Sequence, residues 1–267
     1  MDRVLPADRT NKMTFSIVIP TYNSEDTIIC ALNSCVEQTL LPLEIIVVDD
    51  ASRDSTVNLV ENWMVQYNGN VKIFVEVLET NSGPSIARNN GWNLATGNYV
   101  AFLDADDWYV DEKLKVIVPF LRDIPDIVLL GHSYAVSEQQ DKSTSDLKHL
   151  ATKQFLIKNY FTTSATIIKR DIEEQFDESM RYTEDQDLFL RLTYKYNKTY
   201  YLEEELTLRA REMNTLGGQS ANLWAMRKGE IKMYWKFCKA NALMVLFPLF
   251  LGYSLAKHTV KYLKGSA

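Results

Sequence analysis

Asp104, Asp106 and Asp107 put three carboxylates into four positions, directly after the apolar run Tyr99-Val-Ala-Phe-Leu103. Like charges that close disfavour one another's ionisation unless a cation sits among them. Hard oxygen donors at this density suit a divalent ion such as Mg²⁺ or Mn²⁺. Taken alone, the triplet fits equally well an acidic loop capping a helix that begins near Asp111. Asp49-Asp50 is a second acidic pair, again at the end of a branched apolar run.

Such acids need strands to carry them. Tyr99 to Leu103 is aromatic and branched without polar alternation, the pattern of a strand covered on both faces by helices. Phe15 to Pro20 reads the same way, and Ser24 with Glu25 and Asp26 predicts the N-cap and first turn of a helix reaching about Gln38. That helix would bury Ile28, Leu32, Cys35 and Val36. Glu44 to Val48 is the second strand, followed by a helix through Leu59, Val60, Trp63 and Met64. Val71 to Leu78 is the third, after which Gly83-Pro84 opens a helix through Ile86, Ala87 and Leu94 that Gly97 closes. This alternation predicts an α/β fold with a mostly parallel central sheet wrapped by helices. Ligands of such sheets bind beyond the carboxyl ends of the strands, where Thr21-Tyr22-Asn23, Asp49-Asp50, Thr80-Asn81-Ser82 and Asp104 to Asp107 form one polar rim. Beyond Asp111 the pattern predicts a helix to about Arg122, a strand near Asp126 to Leu130 and a polar loop from Ser137 to Asp146. A helix over Lys148 to Tyr160, a strand over Ser164 to Ile168 and a helix from Thr183 follow.

With 267 residues and 46% hydrophobic content the chain can bury one sizeable core. Its net charge of −6 argues against a nucleic-acid partner. The three cysteines show neither a disulfide framework nor metal-ligand spacing, which points to a reducing compartment. The polar segment Met1 to Met13 lacks the apolar stretch of a secretory signal, so a cytoplasmic location is expected.

The ordered segments Ser16-Ile-Val-Ile-Pro-Thr-Tyr-Asn23, Ile46-Val-Val-Asp-Asp-Ala-Ser52 with Asp54 and Thr56, Ala87-Arg-Asn-Asn-Gly91, Ala95-Thr-Gly-Asn-Tyr99 and Phe102-Leu-Asp-Ala-Asp-Asp107 together resemble the family-2 inverting glycosyltransferases. Their fold is the GT-A type, a nucleotide-binding α/β sandwich. The likeness is strong over Phe15 to Trp108 and looser over Arg181 to Leu192. It implies a nucleotide-sugar donor, first among them a UDP-sugar, and a saccharide or lipid-linked acceptor in bacterial cell-surface polysaccharide or glycolipid synthesis. Pro20, Thr21, Tyr22 and Asn23 are implied at the nucleoside, although turn chemistry also explains them. Asp49 and Asp50 are implied as acceptors for the base and ribose, and Arg88 as a charge-assisted donor to the nucleotide, although an exposed helix arginine is the commoner fate. Asp104, Ala105, Asp106 and Asp107 form the family's DxD region. There Asp106 is the implied ligand of Mn²⁺ or Mg²⁺, Asp104 supports it and Asp107 stands either behind the metal ligand or beside the sugar.

Inversion by one in-line displacement also needs a base on the opposite face of the sugar. The likeness assigns this to Glu184-Asp185, with Asp185 as the base, although Thr183 to Gln186 also fits a helix capping box. Asp187 is expected to be solvent-facing or structural. The implied organisation is a tail over 1–14, a catalytic domain over 15–218 and a helical extension over 219–267. Within the domain, 15–108 would bind the nucleotide sugar and 109–218 the acceptor.

His132, His149 and His258 do not stand where many relatives carry a further metal-binding or diphosphate-contacting histidine, and Arg209 or Arg211 is the expected substitute. Gly217-Gly218 suggests a loop that orders over the donor, or an ordinary turn. Ala242 to Ala256 is apolar but too short and interrupted to span a bilayer. Lys257, Lys261 and Lys264 follow it, and from Met226 onward Glu230 is the one acid. An interfacial helix making peripheral contact with an anionic membrane is expected ahead of packing on the domain or on a second copy in a homodimer. A sugar nucleotidyltransferase is the alternative enzyme, disfavoured because Pro20-Thr-Tyr-Asn-Ser24 stands where a glycine-rich phosphate loop would be. A catalytically inactive scaffold is disfavoured by Asp104, Asp106, Glu184 and Asp185.

Overall fold

A computed structural model describes residues 13–135, 146–209 and 222–265. Strands β1 (Phe15–Thr21), β2 (Glu44–Asp49) and β3 (Lys72–Val77) alternate with helices α1 (Ile28–Val36), α2 (Thr56–Gln66) and α3 (Pro84–Leu94), leading to β4 (Tyr99–Phe102). Next come β5 (Asp107–Tyr109), α4 (Lys113–Asp123), β6 (Leu129–Ala135), β7 (Leu147–Leu150), α5 (Thr152–Ile157) and β8 (Thr166–Lys169). The remaining elements are α6 (Glu184–Tyr196), β9 (Thr199–Arg209), α7 (Leu223–Ala240) and α8 (Phe247–Gly265).

The strands form one sheet in the order β3-β2-β1-β4-β8-β6-β9-β5, with β7 pairing on β9. The half built from β3, β2, β1 and β4 is wholly parallel, as the alternation predicts. Because β1 lies between β2 and β4, the chain's winding reverses there and a crevice opens at the carboxyl ends of β1 and β4. Antiparallel pairs begin beyond β4, where β8 joins it.

Continuous apolar strands are explained by two cores, one on each sheet face. Ile17, Ile19, Ile45, Val47 and Ala101 meet Leu32 and Cys35 of α1, Val60 of α2 and Leu114 and Ile117 of α4. On the other face Val18, Ile46, Val48, Val100 and Phe102 meet Ala87 and Trp92 of α3, Leu188 of α6 and Phe237 of α7. The period-two backbone sends successive side chains to opposite faces, so with both faces covered nearly every residue of such a strand is apolar, and buried exceptions such as Ser16 and Glu44 hydrogen-bond each other at 2.6 Å.

Several boundaries differ from the sequence expectation. Helix α1 starts at Ile28, and Ser24 instead closes a turn by accepting the Thr27 and Ile28 N–H groups on its carbonyl, 3.0 Å each. The helix expected over Lys148 to Tyr160 divides into β7 and the short α5, because Leu147 to Leu150 finds an open edge on β9 and ladder pairing overrides local helix preference. The strand expected from Asp126 begins at Leu129. The loop expected from Ser137 falls outside the described residues up to position 145.

Gly91 sets the height of α3 above the sheet. A methyl group there would fall 2.4 Å from Val18 Cγ1 and 3.2 Å from Val48 Cγ2. Both neighbours are buried strand residues with no room to retreat. Gly91→Ala is therefore expected to destabilise the protein by about 1–3 kcal/mol through overpacking. Thermal or urea unfolding measures it, and an unchanged midpoint would contradict this packing.

Candidate active site

At the carboxyl end of the parallel half lies a cavity of about 1010 Å³. Its walls come from the β1 turn (Pro20 to Ser24), the start of α3, the acidic loop after β4, the segments 158–163 and 181–186, and Arg209 of β9. The polar rim expected from the strand ends and the acids expected from α6 thus face one space.

The turn after β1 is held by the loop after β2. Asn23 sits in the left-handed region at φ 49°, its Oδ1 accepting Arg53 N–H at 2.8 Å while its own N–H donates to Ser52 Oγ at 2.8 Å. Ser24 N–H donates to Thr56 Oγ1 at 2.8 Å, and Glu25 N–H to Asp54 Oδ2 at 3.2 Å. Ser52, Asp54 and Thr56 therefore brace the turn that forms one cavity wall. Asp49 does similar work: it accepts Ser52 N–H at 2.8 Å and Ser52 Oγ–H at 2.5 Å, and it does not line the cavity. Asp50 does line it, while its oxygens accept the N–H groups of Ser82 (2.6 Å) and Gly83 (2.8 Å), fixing the entry to α3.

The acidic triplet splits by environment. Asp106 is exposed on the cavity wall, beside buried Ala105. Asp104 is partly exposed, with its N–H donating to Ser164 Oγ at 3.0 Å. Asp107 is buried behind the wall, 3.5 Å from Arg209 Nε. Burial first, and then the charge on Asp104, push the Asp107 carboxyl above its ordinary range. Lys113, also buried, donates to Ser164 O at 2.8 Å and lies 3.4 Å from the Tyr109 ring centroid. Desolvation drives its pKa well below that of an ordinary lysine.

Arg88 joins the two acidic clusters. One guanidinium nitrogen donates to Asp104 Oδ1 at 2.8 Å and another to Glu184 Oε1 at 2.9 Å. Burial opposes its charge, but the two carboxylates outweigh that and raise its pKa. It is buried on the cavity wall and is not an exposed helix arginine.

At α6 the capping-box alternative does not form. Thr183 is left-handed at φ 59°, a costly conformation for a β-branched residue, and its hydroxyl donates to Tyr182 O at 2.6 Å. Gln186 sends its amide to Phe155 O at 3.1 Å instead of back to the cap. Glu184 is raised in pKa by burial, against Arg88 and with Asp185 adding to the rise. Asp185 is also raised by burial, while the Gln186 N–H at 2.7 Å and the Asn159 amide at 3.0 Å work against it. A carboxylate lifted in this way and still facing a cavity is suited to accept a proton. Asp187 is buried against Arg191 at 2.8 Å, hence structural and not solvent-facing.

Sequence reasoning missed Asn159, Ser164 and Lys113. The sequence pattern predicts a helix running through Asn159, although an asparagine just past an apolar helical stretch is itself a stop signal. Arg211 and Gly217-Gly218 lie outside the described residues, and among those described no three carboxylate, imidazole or thiolate groups converge on one point as a preformed metal cage.

Sheet order, crevice and flanking helices define a GT-A α/β sandwich. The chain belongs to glycosyl transferase family 2, whose family model matches residues 16–180. It is 33% identical over 206 residues to the poly(ribitol-phosphate) beta-N-acetylglucosaminyltransferase TarS of Staphylococcus aureus, covering 72% of this chain and 35% of that protein. It is 30% identical over 192 residues to the amylovoran biosynthesis glycosyltransferase AmsB of Erwinia amylovora, covering 67% and 64%. The chain thus spans less than two thirds of the length of these relatives. Among solved structures, TarS residues 1–349 in complex with UDP-GlcNAc superposes with a TM-score of 0.68 at 25% identity, over 92% of this chain and 72% of that one. A Pyrobaculum calidifontis mannosyltransferase in complex with GDP-Man and Mn²⁺ also reaches 0.68, at 17% identity over 96% and 80%.

Removing the bridge should expose its weight. Arg88→Met leaves buried Glu184 and partly exposed Asp104 without their shared cation and is expected to cost about 3–5 kcal/mol. Arg88→Met combined with Glu184→Gln should recover part of that loss in a double-mutant cycle of unfolding free energies. Strict additivity of the two changes would show that Arg88 and Glu184 do not interact in solution.

Proposed function

We propose that this domain is an inverting glycosyltransferase that moves a sugar from a nucleotide donor, a UDP-sugar first, to a saccharide or lipid-linked acceptor in cell-surface polysaccharide synthesis. The observation that carries this is the single cavity in which the acidic loop and Asp185 meet, tied together by Arg88. The turn Pro20 to Asn23, with Asp50, forms the nucleoside end, where Asp50 can still accept from a ribose hydroxyl because each carboxylate oxygen carries a second lone pair. Asp49 supports that end through Ser52. Asp185 takes the proton of the attacking hydroxyl as the acceptor oxygen displaces the nucleoside diphosphate. Arg209, lining the cavity with a raised pKa beside Asp107, supplies fixed positive charge toward the diphosphate.

The donor set fits a divalent cation. Mg²⁺-type sites use one or two carboxylates and complete the shell with substrate phosphates, so Asp106 with Asp104 in support suffices without a protein cage. Bound there, Mn²⁺ or Mg²⁺ would supply Lewis-acid stabilisation of charge on the leaving diphosphate. Support for a divalent ion comes also from the Mn²⁺ in the mannosyltransferase neighbour.

The same proposal places the domain at the cytoplasmic face of a membrane. Val245 and Leu249 at the α7–α8 corner are 81% and 70% exposed, with Trp235 and Tyr253 nearby in sequence on the same two helices. The one acid of this hairpin, Glu230, is buried against Arg227 and Lys257, which leaves the outward charge basic at Lys228, Lys232 and Lys239. No described helix is long and apolar enough to cross a membrane. Free Cys30, Cys35 and Cys238 suit a reducing compartment.

Two measurements test this. With a panel of nucleotide sugars and Mn²⁺, Asp106→Asn should weaken metal-dependent donor binding, whereas Asp185→Asn should keep donor binding and lose transfer by about 10²-fold or more, the scale of general-base catalysis. Normal transfer by Asp185→Asn would remove the base assignment. For the membrane, the protein should co-sediment with vesicles rich in phosphatidylglycerol and less with pure phosphatidylcholine, and Val245→Asp with Leu249→Asp should abolish pelleting. Equal pelleting of the variant would remove the contact.

A further inference from the structure

Short helix α5 ends in three consecutive carbonyls, and each is taken by a side chain from a different helix of the C-terminal half. Phe155 O accepts from Gln186 Nε2 of α6 at 3.1 Å, Leu156 O from the Tyr234 hydroxyl of α7 at 2.6 Å, and Ile157 O from the Tyr253 hydroxyl of α8 at 3.0 Å. The last carbonyls of a helix have no partner within it, so these bonds fix where α5 stops and where the chain goes next. Two residues later comes Asn159, which lines the cavity and donates its amide to Asp185 Oδ2 at 3.0 Å. The nitrogen and not the oxygen must face that carboxylate, because an ionised carboxylate only accepts.

The pairing leaves a trace of its purpose. Asn159 Oδ1 is buried and finds no donor among the described residues. A carbonyl oxygen in that state is a cost to folding and calls for another reason to keep the side chain there. With Asp185 Oδ1 held by Gln186 N–H and Oδ2 held by Asn159, the carboxylate cannot turn about its own axis. On the opposite side α7 backs the same turn: a methyl on Gly229 would fall 2.6 Å from Tyr182 O and 2.9 Å from Thr183 Oγ1, so only glycine lets the helix approach that closely.

We propose that Asn159 is the positioning residue of the Asp185 base, and that the α7–α8 hairpin, through Tyr234 and Tyr253, holds Asn159 in place. The C-terminal extension is then part of the catalytic mounting as well as a surface, so its docking state can reach the base through α5. This rests on Asp185 being the base.

The charged groups facing Asp185 are Arg88 of α3, Asp104 of the acidic loop and Glu184 of its own helix. The Asn159 bond favours the ionised base. Losing it makes Asp185 harder to ionise, so the acid limb of kcat, which needs the ionised form, moves to higher pH.

The test compares Asn159→Leu, Asn159→Asp and Asn159→Ser in the full chain, using the nucleotide sugar turned over fastest in the panel and water or the native acceptor as nucleophile. Asn159→Leu should lower kcat about 10- to 100-fold, as misplacement of a reacting group does, and shift the acid limb upward, with UDP binding by calorimetry unchanged. Asn159→Asp, which cannot donate and adds a like charge, should shift the limb further. Asn159→Ser, which keeps a donor, should recover part of the rate. Tyr234→Phe and Tyr253→Phe should move kcat and the limb in the same direction by a few-fold. Wild-type kcat with an unmoved limb in Asn159→Leu, or equal losses in all three variants without a pH shift, would overturn the proposal. Activity retained in Asp185→Asn would instead overturn the base assignment on which it rests.

Discussion

The ion pair that Arg88 makes with both Asp104 and Glu184 is the constraint on which the rest of the site depends. Asp104 comes from the end of β4 in the parallel half, Glu184 from the start of α6 on the other side of the cavity, and Arg88 from a helix packed on the sheet between them. Burying one guanidinium between two carboxylates is expensive unless all its charge is matched. The matching fixes the acidic loop and the start of α6 relative to each other. Gly91, one turn along α3, makes this possible by letting the helix lie against Val18 and Val48.

Around that pair, rigidity is bought with backbone strain and side-chain braces. Asn23, Ala51 and Thr183 hold left-handed conformations at three corners of the site. Each such corner is costly for a residue with a side chain and persists only when neighbours over-determine it. Asp49, Ser52, Asp54 and Thr56 over-determine the first corner, and Gly229 of α7 backs the third. Motif residues that look like ligand contacts in the sequence thus divide in two: some face the cavity, and others hold the loops that do.

Much of the parallel half was legible beforehand. Runs such as Ser16 to Pro20 and Ile45 to Val48 have no polar face because both sides of the sheet are covered, and that pattern is local. The start of helix α3 was readable from Gly83-Pro84, punctuation with a backbone cause, whereas the helix ends at Leu94 and Gly97 beyond it serves the close approach of Ser16 N, 2.8 Å from where a methyl would fall. The second half was less legible. Leu147 to Leu150 has no strand signal strong enough to announce itself, and it becomes β7 only because β9 offers an edge. The Thr183 to Gln186 segment resembled a capping box, yet the Gln186 amide had a better partner in Phe155 O, a carbonyl 31 positions away in the chain.

By itself the sequence determined which strands are buried, that four strand ends would meet on one rim, and that carboxylates would be concentrated there, because periodicity and turn chemistry act over a few residues. Only the tertiary structure decided what each carboxylate does. Asp49, Asp50, Asp104, Asp106, Asp107, Glu184 and Asp185 are the same two chemical groups. What separates a loop brace, an arginine partner, an exposed carboxylate and a buried one is burial and the partner within about 3 Å, a distance at which hydrogen bonding outweighs sequence neighbourhood. Asn159 shows the limit most plainly, since nothing near it in the chain reveals that its amide would meet Asp185.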